Sequence, residues 1–100
     1  MYPVERAKSE MSFDYESIRA KNQETLIHFL DGEMNLGGTF AQSALLSHVE
    51  GHLEHYEQAK HFAKRAVETV ERFKSHVVDA RTRNQIGRRL AVLQKVISTL

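Results

Sequence analysis

The sequence predicts an all-α fold of three helices with a long central one, and three observations carry that prediction. Apolar residues recur at alternating steps of three and four along most of the chain, the spacing of a helix face. Strand-like alternation at a period of two is missing. The single proline, Pro3, stands at the very start, where a helix tolerates it, so nothing further along forbids helix.

The first helix is centred on Met11 to Leu30, with Met11, Tyr15, Ile18, Asn22, Leu26 and Phe29 on one stripe. Asn22 is the one polar member of that set. Val4 and Ala7 continue the stripe backwards, so the helix can begin near Pro3 with Ser12 exposed inside it. Asp31-Gly32 supplies a stop, because glycine accepts the left-handed conformation of a C-cap. Glu33 to Gly38 then reads as a loop.

The second helix is expected from Thr39 to about Val77. Thr39-Phe40-Ala41-Gln42 has the pattern of a capping box. Leu45, Val49, His52, Tyr56, Ala59, Ala63, Ala66, Val70, Phe73 and Val77 form a seam over roughly five heptads. Gly51 is the only interior glycine, costing about 1 kcal/mol relative to alanine, and the heptad phase does not slip across it. Lys74 and His76 suit the C-terminal end of the helix dipole, and Asp79 can cap the next helix. That third helix runs from about Ala80 to Leu100, with Ile86, Leu90, Leu93, Ile97 and Leu100 inward. Arg81, Arg88 and Lys95 form a basic ridge on the other side.

With 100 residues, 41% of them apolar and 27% charged, residues 1–100 are expected to form one helical domain. The net charge of +1 hides an asymmetry. Nine Lys/Arg against thirteen Asp/Glu leave residues 1–79 at −4, while residues 80–100 carry five basic groups, no acidic one, and +5. The absence of cysteine rules out disulfides and thiolate chemistry. No apolar run approaches the roughly 20 residues of a membrane span, and Met1 to Glu10 lacks a signal peptide's apolar centre. A soluble cytoplasmic protein, with no membrane partner, is the expectation.

Two outer helices that each cover half of a long central one would leave its seam open to water, which implies a partner. An antiparallel homodimer through the central helix, with Leu45, Val49, His52, Tyr56, Ala59, Ala63, Ala66 and Val70 at the interface, buries that seam. It also sets acidic helix one against the partner's basic helix three, making four-helix-bundle-like ends. The alternative is a three-helix monomer with the second helix bent near Gly51.

His48, His52 and His55, at i, i+4 and i+7, would share one sector of an unbroken helix. That geometry can offer two or three imidazoles to Zn²⁺ or a similar ion. The competing reading makes them interface histidines, packed near Tyr56, or a pH-sensitive contact. No other cofactor is implied. No glutamate has a histidine three residues later, which removes a di-iron carboxylate site, and no serine sits on a turn suited to nucleophilic catalysis. Gly37-Gly38 lacks the preceding strand and the spacing of a phosphate loop. No catalytic residue is therefore assigned, and the chain reads as an interaction or structural module rather than an enzyme. Nucleic acid is a rival partner, through Arg81, Arg88 and Lys95 with Arg83 and Arg89 beside them, but no aromatic on the third helix offers base stacking.

The run Leu46-Ser47, Tyr56-Glu57-Gln58-Ala59, Ala63 and Ala66 resembles part of a tetratricopeptide repeat over about a quarter of the chain. Ser43 stands where the repeat has its first aromatic, and the closing proline and a second copy are missing. The resemblance implies a break near Glu54-His55, a helical hairpin and a peptide-binding groove.

Overall fold

The computed structural model describes residues 4–100, with side chains from Ser17 onward. It is all-helical: α1 spans Val4–Val49, α2 Leu53–Phe73 and α3 Ala80–Ser98, with a single 3₁₀ turn at Lys74–His76. Among the described residues there is no strand. Pro3 and the side chains of Met11 and Tyr15 lie outside the described part.

The longest helix is the first, not the central one. α1 holds 46 residues and runs through Asp31-Gly32 and the whole segment expected as a loop, Glu33 to Gly38, so Thr39 caps nothing. Tertiary packing overrides three glycines that would each cost about 1 kcal/mol in an isolated helix. At Gly37 the reason is visible. A Cβ there would come within 2.8 Å of Leu93 Cδ2 and 3.3 Å of Ala66 Cβ, so the glycine is what lets three helices meet closely. At Gly32 and Gly38 an added Cβ meets nothing, and the helix simply carries them.

The expected central helix is broken in two. α1 ends at Val49, and Gly51 just past it has a φ of +78°, the left-handed conformation that glycine adopts without steric cost. His52 N–H donates to Ser47 C=O at 2.8 Å and Gly51 N–H to His48 C=O at 3.2 Å. These are the two hydrogen bonds of a Schellman C-cap. α2 starts at Leu53 and returns antiparallel along α1. The heptad pattern conceals this because Glu50–His52 is three residues, close to one helical turn, so the stripe passes through the reversal in phase. Of the two alternatives to a rod, the bend at Gly51 is the one observed, three residues before the break that the repeat resemblance implies.

The third helix is where it was expected. The Asp79 carboxylate accepts from Thr82 N–H at 3.0 Å and from Thr82 Oγ1 at 2.6 Å, capping α3. The Thr82 hydroxyl first, then its backbone N–H, hold the Asp79 carboxyl below the ordinary carboxylate range, and Arg81 and Arg83 add to the effect.

The core is a ribbon along the hairpin. Leu30, Met34 and Ala41 of α1, Ala63 and Val70 of α2, and Ile86, Leu90 and Leu93 of α3 form its main cluster, with Ala44, Tyr56 and Ala59 near the hairpin turn. Alanine and glycine along the α1–α2 seam allow the helices to approach closely, and leucine and isoleucine from α3 fill the remaining wedge. The molecule measures 71 × 28 × 15 Å, and its radius of gyration of 19.6 Å exceeds the ~13 Å of a compact 100-residue domain. The extra length is α1. Gln23 lies level with the turn before α3, donating from Nε2 to His76 C=O and accepting at Oε1 from Val78 N–H, both at 3.0 Å. The helix from Val4 to Asn22 continues beyond that turn for about 28 Å.

Candidate interaction surface

The α1–α2 hairpin has two flanks, and α3 covers one. On that flank Arg89 donates from Nη1 to Asp31 Oδ1 and from Nη2 to Asn35 Oδ1, tying α3 to α1. Part of the basic charge of α3 is thus answered by an acidic group of the same chain. The Gln23 contacts fix the turn at the other end of α2.

The opposite flank carries four of the five phenylalanines. Phe29 meets Phe73 edge to face with ring centres 6.3 Å apart, and Phe40 meets Phe62 at 5.2 Å. Each pair bridges α1 and α2, and both are in the range where aromatic rings attract beyond simple burial. Phe29 is 45% exposed, Leu36 50%, Phe62 38% and Phe73 37%. Among the described residues no element lies over them. The pairs are placed by symmetry about the hairpin turn. Phe40 and Phe62 are eleven residues either side of Gly51, and Phe29 and Phe73 twenty-two. Eleven residues are close to three helical turns, so all four rings fall on one side of an antiparallel pair. That spacing is a signal in the sequence for both hairpin and aromatic face, and a single seam along 39–77 makes no use of it.

A second open patch lies between α1 and α3, a groove of about 520 Å³ lined by Leu45, Val92, Leu93, Val96 and Leu100 with Arg89 at its edge.

The residues expected at a subunit interface are divided by the fold. Tyr56, Ala59, Ala63, Ala66 and Val70 are buried inside the chain against α1. They would be open only if the helix that covers them lay elsewhere. His52 lies in the turn, and Leu45 and Val49 remain exposed. The histidines are parted by the same reversal. His48 stays on α1 with its ring 5.0 Å from that of Tyr56, while the rings of His52, in the turn, and His55, on α2, are tilted to each other with centres 6.1 Å apart. His52 Nδ1 lies 3.6 Å from Glu50 Oε2, on the surface. Among the described residues no three His, Cys, Asp or Glu side chains gather to hold a metal ion. The reversal places His48 on α1 and His55 on α2, so His48, His52 and His55 do not share one sector of a single helix.

Arg81, Arg88 and Lys95 do lie exposed along α3. Arg83 is engaged within the chain, donating to Val77 C=O at 2.9 Å. No helix among the described residues is long and apolar enough to cross a membrane. Comparison with protein-family models, with curated proteins and with solved structures finds no match to this chain.

Proposed function

We propose that this chain is a helical protein-interaction or structural module that works as a homodimer, without catalysis of its own, in the cytoplasm. The observation that supports it is the uncovered aromatic flank of the hairpin. An aromatic side chain can bury about 150–250 Å². The exposed fractions of Phe29, Leu36, Phe62 and Phe73, with Ile18 further along α1, therefore leave roughly 400 Å² of apolar surface per chain. A patch of that size on a small protein is commonly a binding surface. At about 25 cal/mol per Å², covering it in both subunits is worth about 20 kcal/mol, against an association cost of about 4–15 kcal/mol. The subunit contact is thus moved from the seam of α2, which the chain itself fills, to the flank that α3 leaves open.

Light scattering on the eluting protein tests the reading. A mass twice the 11.5 kDa of one chain is expected at micromolar concentration, and Phe29→Glu with Phe73→Glu should return it to a monomer with unchanged helicity. A wild-type monomer would remove the proposal. Nucleic-acid binding through Arg81, Arg88 and Lys95 is the second reading, supported by their exposure in a row on α3. Salt-dependent retention on RNA or DNA that Arg88→Glu abolishes would favour it.

A further inference from the structure

We propose that the aromatic flank is covered by the projecting part of α1 from a second copy, the two α1 helices pairing antiparallel about an axis at Asn22. This rests on the homodimer reading above and names the element that makes the contact.

Length is the first argument. The segment Val4–Asn22 extends about 28 Å beyond the bundle, and Gln23 to Phe40, the stretch of α1 along the open flank, is about 27 Å long. One fits the other.

Phase is the second. Ile18 and Leu36 are both exposed and eighteen residues apart, five full turns, so they share one side of α1. Met11 and Phe29 are separated by the same interval. The whole stripe reads Val4, Lys8, Met11, Tyr15, Ile18, Asn22 and then Leu26, Phe29, Glu33, Leu36, Phe40. Its steps are four, three, four, three, four up to Asn22, and the same five again beyond it. A stripe whose spacing mirrors about its midpoint is what an isologous antiparallel pair requires, since every position on one copy must meet its mirror position on the other. Position 15 then stands level with the partner's Phe29, Ile18 with the partner's Leu26, and position 4 with the partner's Phe40.

The residue at the midpoint agrees with this register. Asn22, the one polar residue in the middle of the stripe, falls on the axis and meets its own copy. Paired side-chain amides can hydrogen-bond to each other there, and a single such asparagine is a known device for fixing register in paired helices. Lys8 is the only basic position on the stripe and Glu33 the only acidic one. In this register position 8 is level with the partner's Leu36 and position 11 with the partner's Glu33.

The absence of cysteine makes the test direct, because single labels can be placed at will on the full chain. Spin labels at Lys21→Cys and, in a separate protein, at Gln42→Cys would be measured by pulsed dipolar spectroscopy in the dimer. With the axis at Asn22, labels at position 21 lie within about 20 Å of each other and labels at position 42 about 60 Å apart. Met11→Glu, at a helix position beyond the end of the bundle, should weaken dimerisation at least 100-fold with helicity preserved. A dimer by light scattering whose position-42 labels come within about 40 Å, or whose affinity ignores Met11→Glu, overturns this arrangement and leaves the homodimer standing. A monomer by light scattering overturns both.

Discussion

The two flanks of the hairpin are built from the same two helices and have opposite fates. On the α3 side, Leu90 and Ile86 fill the wedge, Arg89 reaches Asp31 and Asn35, and Gln23 holds the returning turn. On the other side Phe29, Phe40, Phe62 and Phe73 pair across the helices and stop, half in water. Aliphatic residues go where the chain supplies its own third helix. Phenylalanines, with more area per residue and a preference for paired rings, go where it does not. The contrast separates stability from association: one flank should govern whether the chain folds, the other whether it pairs.

The largest expected effect breaks the covered flank. Leu90→Ala, at a fully buried position, should cost about 2–5 kcal/mol in urea unfolding, while Phe62→Ala, half-exposed on the open flank, should cost much less in a dilute monomer and act mainly on dimer affinity. Equal destabilisation by both would erase the distinction. Gln23→Leu removes two hydrogen bonds to the turn before α3, and a loss of about 1–3 kcal/mol is expected by the same measurement, set by how far water reaches the freed His76 C=O and Val78 N–H.

Two substitutions should raise stability. Gly32→Ala and Gly38→Ala place a methyl in open space within a helix, and each is expected to add about 0.5–1 kcal/mol. No gain at either would mean that α1 is not continuous there. The smallest effect concerns acid. The Asp79 carboxyl is held low in the folded chain, so its contribution is complete above the ordinary carboxylate range near pH 4 and fades as pH falls through the depressed value. Thermal melts of Asp79→Asn should accordingly lose part of the wild-type decline in stability below about pH 4.

How much of this is legible in the sequence differs along the chain. α3 is, because a cap at Asp79, a stripe at Ile86, Leu90, Leu93 and Ile97 and a basic back face all say the same thing. The glycine-rich stretch from Gly32 to Gly38 is not, because local propensity points to a loop and only Ala66 and Leu93, distant in sequence, explain why helix wins. Gly51 misleads for another reason. Periodicity reports which side of a helix faces the core and is silent on direction, so a three-residue reversal leaves no mark on it. The mirrored phenylalanines do mark it, since equal spacing about Gly51 is expected of a hairpin and has no meaning in a rod. The histidines and the seam residues are divided between α1, the turn and α2 by that reversal, whereas Arg81, Arg88 and Lys95, which need only α3, lie exposed along it.

The reversal at Gly51 is the central claim, and one intramolecular distance tests it. Glu33→Cys and Thr69→Cys would be spin-labelled in one chain and diluted into unlabelled protein. Both positions lie on the open flank, eighteen residues either side of Gly51, and the hairpin places the labels within about 20 Å. An unbroken helix from Thr39 onward would alone hold position 69 about 45 Å from its start, and a distance of that order would contradict the account.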